Sequence, residues 1–201
     1  MWGACRDDDL GRIVKLLVLT GARREEIASL RWPEVDLESA VISLPGERTK
    51  NGKPHDIPLS GPALDILKAC PRRPGRELCF GDGEGGYQGW GKAKVALDKR
   101  IRPALAPWRI HDLRRTVATA MAESPPDKEH PKARGLGVPP HIIEAILNHV
   151  SGHKAGVAGV YNHATYAREV RAALVMWADH VSAIAGEGER RVVPMGRKSR
   201  V

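Results

Sequence analysis

The stretch HDLRRTVATAMAE, residues 111–123, joins a helical pattern to polar side chains at its start. Its apolar side chains fall on one helical face: Leu113, Val117 and Met121. Because these positions repeat every four residues, the pattern predicts a helix that buries this face against a core. His111 and Arg114 lie one turn apart and would project together. The stretch therefore predicts a polar site built at the start of a packed helix.

Outward from this stretch, most of the chain has the patterns of short helices. The aspartates at 7–9 can cap a helix that buries Leu10, Ile13 and Leu17, and Gly21 would end it. Further helices are predicted over residues 24–30, 60–67, 90–99, 139–148 and 166–184, with Ser60 as the cap of the second. Glycine- and proline-rich residues 71–89 and polar residues 124–138 read as loops.

Residues 32–59 differ, because three short apolar runs at 35–37, 40–44 and 55–59 are typical of strands. Asn51-Gly52 lies between the last two and is a strong signal for a two-residue hairpin turn. The predicted fold class is therefore mainly α with a small three-stranded antiparallel sheet (α+β).

Composition restricts the kind of partner. The 201 residues suit one domain, and a net charge of +8 with a pI near 9.7 favours a polyanion, although surplus surface lysine and arginine is the open alternative. Cys5, Cys70 and Cys79 are odd in number and widely spaced, which predicts reduced thiols in a cytoplasmic protein. We expect no metal, no cofactor, no small-molecule substrate and no membrane contact.

Four motifs follow one another along the chain. They are the segment Thr20-Gly21-Ala22-Arg23-Arg24-Glu25-Glu26, the quartet His111-Asp112-Leu113-Arg114, the late histidine His149 and, twelve residues later, Tyr161. This order resembles the catalytic domain of tyrosine recombinases, the phage-integrase family, from about Leu10 to Val181. The match is closest to integrases of prophages and genomic islands, through LNHVSG at 147–152 and VYNH at 160–163.

The resemblance implies the same mostly helical domain and a metal-free reaction on a DNA phosphodiester. It places the catalytic domain at 1–185 and leaves 186–201 as a polar, basic tail that we expect to be disordered. Relatives usually carry an N-terminal helical domain that clamps DNA from the other side. Because this sequence starts almost at the first catalytic helix, we expect a shortened form, a mis-started gene or a truncated remnant.

The resemblance also implies a role for each motif residue. Arg23 and Arg114 would hold the phosphate oxygens in bidentate fashion. Glu26, three residues after Arg23, would orient that arginine or a nearby histidine. His111 would accept the tyrosine proton, and the ring N–H of His149 would bind a phosphate oxygen.

The nucleophile and the proton donor each have a rival. Tyr161 is the predicted nucleophile, with Tyr166 as the alternative. Lys50, before the Asn-Gly turn, would protonate the leaving 5′ oxygen, with Lys53 as the alternative. A metal site at His141, His149, His153 and His163 fits no zinc spacing.

The predicted function is thus a site-specific recombinase that cuts and rejoins double-stranded DNA through a 3′-phosphotyrosine. Its relatives assemble as tetramers on DNA, so we expect a homo-tetramer in the cytoplasm, associated with the nucleoid. Two alternatives stay open: a type IB topoisomerase-like enzyme, and an integrase remnant that binds DNA without recombining it.

Overall fold

The computed structural model describes residues 1–126, 129, 135–149 and 166–186, which form a mainly helical fold with one small three-stranded antiparallel sheet. This confirms the predicted fold class. The elements are α1 Asp9–Thr20, α2 Arg24–Ala28, β1 Val35–Asp36, β2 Val41–Leu44, β3 His55–Pro58, α3 Gly61–Lys68, α4 Trp90–Asp98, α5 Ile110–Ala122, α6 Pro140–Ile146 and α7 Ala167–Ala185.

Helix α1 lies at the centre of the core. The Asp8 side chain accepts a hydrogen bond from the backbone of Gly11 at 2.8 Å, which is the predicted N-terminal cap. Its buried positions include Ile13 and Leu16, both without exposed surface, and they pack against α3, α5 and α7. The helix ends at Gly21, whose φ of 64° is left-handed and turns the chain towards α2.

The sheet has the order β1-β2-β3, with Ile42 opposite Ile57 and Leu44 opposite His55. Two predicted details are wrong. The two-residue hairpin is instead a longer connection over residues 45–54, because a 3₁₀ turn at Gly46–Arg48 precedes the tight turn at Gly52. Ser60 does precede α3, but its buried hydroxyl caps nothing and has no partner among the described residues.

Helices α5 and α6 bring the polar motifs to one end of the core. Leu113, Val117 and Met121 are buried on α5 as predicted, and α5 packs against both α1 and α6. Helix α6 ends at Ile146, short of the predicted 148, because Asn148 adopts a φ of 45° that no helix continues. Helix α7 then covers α1 and α6.

In the described part of the chain, no helix is long and apolar enough to cross a membrane. The predicted tail lies almost wholly outside that part, since the described residues end at Gly186.

Candidate active site

One end of the helical core carries an open cleft of about 1270 Å³. Every predicted site residue that the structure describes lines it: Arg23, Glu26, Lys50, His111, Arg114 and His149. These residues come from the start of α2, the β2–β3 connection, α5 and the segment after α6. The predicted nucleophile Tyr161 lies outside the described residues, as do His153 and His163.

Arg23 and Glu26 form a closed pair at the start of α2. The Glu26 carboxylate accepts one hydrogen bond from the Arg23 backbone at 2.7 Å and another from its guanidinium at 2.8 Å. Glu26 is only 2% exposed, so its charge depends on this partner. The pair holds the guanidinium against the cleft, which fits an orienting role for Glu26.

Arg114 is held by backbone oxygens. Its guanidinium donates to the carbonyls of Gly21 and Leu147, and the residue is 5% exposed. Burial, with a smaller effect of Arg23, lowers the pKa of Arg114 to about 10, while Glu26 opposes the change. The arginine therefore keeps its charge at neutral pH. Two neighbouring guanidiniums repel each other, and a bound phosphate would relieve that repulsion.

The two predicted histidines face the same cleft from different elements. His111 is exposed in the first turn of α5, and His149 is exposed just after α6. Burial lowers the pKa of His149, and Arg114 and Arg23 lower it further. A neutral imidazole retains one ring N–H that it can donate to a phosphate oxygen.

Lys50 is exposed in the β2–β3 connection and lines the cleft. Lys53, its rival as proton donor, does not line the cleft. The rival nucleophile Tyr166 also lies elsewhere, before α7, with its ring centroid 5.0 Å from that of His141. These placements favour Lys50 over Lys53, and they put the Tyr166 ring against His141 and outside the cleft lining.

Several cleft features were not predicted from the sequence. A wall of stacked cations and rings lines one side: the Arg24 guanidinium lies 5.3 Å from the Trp90 ring centroid, and the Lys94 amine 4.4 Å from that of Trp108. Such pairs suit contact with the backbone and bases of a nucleic acid. The sequence offered tryptophans near lysines and arginines, but no motif that joined them.

His55 was predicted only as a strand residue. It is 7% exposed, and its Nδ1 atom is buried without a partner among the described residues. Burial lowers the pKa of His55; Glu26 raises it, and Arg114 and Arg23 lower it. The histidine thus lies behind the arginine pair. A polar residue at an inward strand position was the one available signal.

One cleft thus gathers five arginines, two lysines and two histidines, a set of side chains that suits a phosphodiester. Residues 4–168 match the phage integrase family, and the chain belongs to that family.

Two relatives from Escherichia coli strain K12 are similar to the chain. Prophage integrase IntZ is 32% identical over 178 residues, which cover 87% of this chain and 40% of the relative. Prophage integrase IntA is 33% identical over 167 residues, covering 83% and 37%. The chain thus spans well under half the length of these curated relatives.

Among solved structures, the integrase from mycobacterium phage Brujita superposes with a TM-score of 0.57 at 18% identity. The match covers 82% of this chain and 50% of that one. This likeness supports the fold.

Proposed function

We propose that the chain is the catalytic domain of a site-specific DNA recombinase that works through a 3′-phosphotyrosine. The observation that carries this proposal is the convergence of Arg23, Arg114, His111, His149 and Lys50 on one cleft. A phosphodiester resists attack because its charge repels nucleophiles and its leaving alkoxide is poor. In one cleft, cations can neutralise the phosphate charge, a proton acceptor can activate the nucleophile and a proton donor can assist the leaving oxygen, all without a metal.

The first step is attack on the scissile phosphorus by the hydroxyl oxygen of Tyr161. Arg23, Arg114 and the ring N–H of His149 bind the non-bridging oxygens, where charge grows in the transition state. His111 accepts the tyrosine proton as the new P–O bond forms. Lys50 gives a proton to the 5′ oxygen as the old P–O bond breaks.

The products are a 3′-phosphotyrosine and a free 5′-hydroxyl. That hydroxyl, or one from a partner duplex, attacks the phosphotyrosine and returns the strand to a phosphodiester. Because one phosphoester replaces another, the reaction needs no nucleotide cofactor. Exchange between two duplexes needs several active sites, so we propose that double-stranded DNA is bound by a homo-tetramer.

Membership in the phage integrase family favours a recombinase over a topoisomerase. A test for a covalent protein–DNA bond distinguishes an active recombinase domain from an integrase remnant that only binds DNA. When DNA has a nick a few nucleotides 3′ of the scissile phosphate, cleavage releases the short fragment that carries the new 5′-hydroxyl, so religation fails and the protein stays covalently attached to the DNA.

The wild-type chain should form this covalent adduct, and Tyr161→Phe should form none while it binds DNA nearly as well, because only a hydroxyl is lost. Tyr166→Phe is the matched control and should keep the adduct, since Tyr166 lies outside the cleft. Denaturing gels and peptide mapping of the adduct give the readout. An adduct that maps to Tyr166 would overturn the assignment of the nucleophile.

A further inference from the structure

The side-chain amides of Asn51 and Asn148 hydrogen-bond to each other. This pair, the amide clasp, joins the two loops that carry Lys50 and His149. The Asn51 amide nitrogen lies 2.8 Å from the backbone oxygen of Asn148 and 3.0 Å from its side-chain oxygen. The Asn148 amide nitrogen returns bonds of 3.3 Å to the Asn51 side chain and to the backbone oxygen of Lys53. These bonds connect segments that lie 97 residues apart in the sequence.

The clasp also reaches the first arginine. The Asn148 backbone oxygen that accepts from Asn51 accepts from the Arg23 guanidinium too, at 3.3 Å. Asn148 presents this oxygen because its φ of 45° is left-handed, a conformation that asparagine tolerates better than most residues. One carbonyl therefore links the Arg23 guanidinium to the Lys50 loop directly before His149.

Within its own loop, Asn51 makes separate bonds. Its side-chain oxygen accepts from the Lys53 backbone N–H at 3.1 Å, and the Thr49 hydroxyl beside it donates to the Lys53 carbonyl at 2.7 Å. Lys50 thus lies between two residues whose side chains are fixed. Thr49 is buried, whereas the lysine is exposed and has a long, flexible side chain. The oxygen of Asn51 shapes the loop, and its nitrogen attaches the loop to the rest of the cleft.

We propose that Asn51 is a positioning residue for the proton donor: through Asn148 it holds the Lys50 turn against the segment that binds the phosphate. This inference rests on the proposed function. Asn51 lines the cleft, but its amide nitrogen and oxygen are already engaged by Asn148 and Lys53. Because a misplacement of about 1 Å can cost roughly 10²-fold in rate, release of the clasp should slow proton donation without removing the donor.

The test uses cleavage of nicked DNA by the full chain, with either oxygen or sulfur at the scissile 5′ position. A thiolate leaves without a proton because thiols ionise near ~8.5, so sulfur bypasses the donor. Asn51→Ala should cleave the oxygen substrate about 10–100-fold more slowly than wild type and the sulfur substrate at nearly the wild-type rate. Equal losses on both substrates would mean that Asn51 acts elsewhere.

Two reference variants show how the assay responds to loss of the proton donor and to loss of an arginine that binds the phosphate. Lys50→Ala should lose roughly 10²–10⁴-fold on oxygen and recover on sulfur. Arg114→Ala should not recover, because its work is on the non-bridging oxygens. If the wild-type chain gives no adduct with either substrate, the proposed function and this inference both fail. If the references behave as stated and Asn51→Ala is slow on both substrates, only the inference fails.

Asn51→Asp removes only the bonds that Asn51 donates across the clasp. It keeps an oxygen that accepts from the Lys53 backbone N–H and from the Asn148 amide, but it loses the nitrogen that donates to two oxygens of Asn148. Its second carboxylate oxygen would face those two oxygens and be repelled by them, so the variant should behave like Asn51→Ala and recover on sulfur. Wild-type cleavage of oxygen DNA by Asn51→Asp would show that the donated bonds are not needed, which overturns the proposal.

Hydrogen exchange of the free protein tests the clasp without any reaction. In Asn51→Ala, the backbone amides of Gly52 and Lys53 should exchange faster than in wild type, and so should that of His149. The His149 backbone N–H donates to the backbone oxygen of Glu144 at 2.9 Å. This bond lies in the segment that contains Asn148, not in the Lys50 loop. Faster exchange at residues 52–53 alone would show that the two segments are not coupled, and would overturn the proposal.

Discussion

His55 is a titratable side chain that is buried, with its Nδ1 atom lacking a hydrogen-bond partner among the described residues. A neutral imidazole can stay buried, but a protonated one would lose its hydration next to Arg114 and Arg23. Burial is the first cause of its lowered pKa, and the two arginines add to it, whereas Glu26 and Asp56 favour the charged form. The folded state therefore binds a proton less readily than the unfolded chain.

This difference predicts a loss of stability in mild acid. The unfolded histidine takes up a proton near pH ~6.5, and the folded one only at lower pH, so the stabilisation is present above that pH and falls as pH decreases. One such group contributes at most about 1.4 kcal/mol of unfolding free energy per pH unit. Urea denaturation at a series of pH values measures it.

His55→Gln should show a smaller decrease in unfolding free energy between pH 6.5 and 5 than wild type. Glutamine keeps polar atoms in the same space but takes up no proton. Part of the dependence should remain, because the pKa of His149 is lowered as well. The same slope for variant and wild type would show that His55 does not couple proton binding to folding.

Among the helices, the end of α1 is one of the two backbone segments that hold the Arg114 guanidinium. The Gly21 carbonyl accepts a hydrogen bond from Arg114. A Cβ at this position would lie 3.3 Å from both Leu147 and Val117, which belong to the segment after α6 and to α5. Gly21 is thus the point at which three elements approach one another around the buried guanidinium.

Gly21→Ala should destabilise the fold for two reasons. Its left-handed φ costs an alanine about 1–2 kcal/mol, and the new methyl must also displace its two neighbours. Gly186→Ala is the matched control, because its φ of 76° is left-handed too but a Cβ there meets nothing within 4 Å. Thermal or urea denaturation should show the larger loss for Gly21→Ala; equal losses would show that the packing at Gly21 is loose.

The helices could be predicted because their signals are local. Asp8 caps α1, Gly21 ends it, and the apolar spacing on α5 repeats within a few residues. The conformation of the β2–β3 connection could not be predicted, because the Asn-Gly signal indicates only a tight turn. Its conformation depends on the Thr49 hydroxyl, which bonds the Lys53 carbonyl at 2.7 Å, and on Asn148, far along the chain.

The residues of the candidate site also fall into two groups: those that a local motif identifies and those that only long-range contacts define. The order of motifs named Arg23, His111 and Arg114 because each has neighbours that identify it in the sequence. The patterns around His55 and Asn51 indicated only a strand and a turn, since their polar partners, Arg114 and Asn148, lie far away in the sequence. Tertiary contact, which no local pattern contains, decides their surroundings.

Across the whole molecule, part of the positive charge behind the net +8 lies in the cleft. The cleft gathers Lys50, Arg109 and Arg114, which have no ion-pair partner among the described residues. Basic side chains without carboxylate partners attract a polyanion more strongly than paired ones, and each phosphate that they neutralise releases counterions.

DNA binding by this chain should therefore be weak and steeply dependent on salt. Each neutralised phosphate contributes about −0.9 to the slope of log affinity against log salt, so Arg109→Ala should reduce that slope by about 0.9. Lys68→Ala, an exposed residue outside the cleft, should leave it unchanged. Fluorescence anisotropy with labelled duplex between low and moderate salt gives both slopes. Tight binding that salt hardly alters would contradict the prediction.

The backbone oxygens that accept from Arg23 and Arg114 have a consequence for how such a protein tolerates mutation. Arg114 is held by the carbonyls of Gly21 and Leu147, and Arg23 partly by that of Asn148. A backbone carbonyl is the same group whatever side chain it belongs to. Position 147 can therefore accept other apolar residues without moving the guanidinium, provided that the chain keeps its path. The Arg114 guanidinium thus keeps its acceptor when the side chain at position 147 changes.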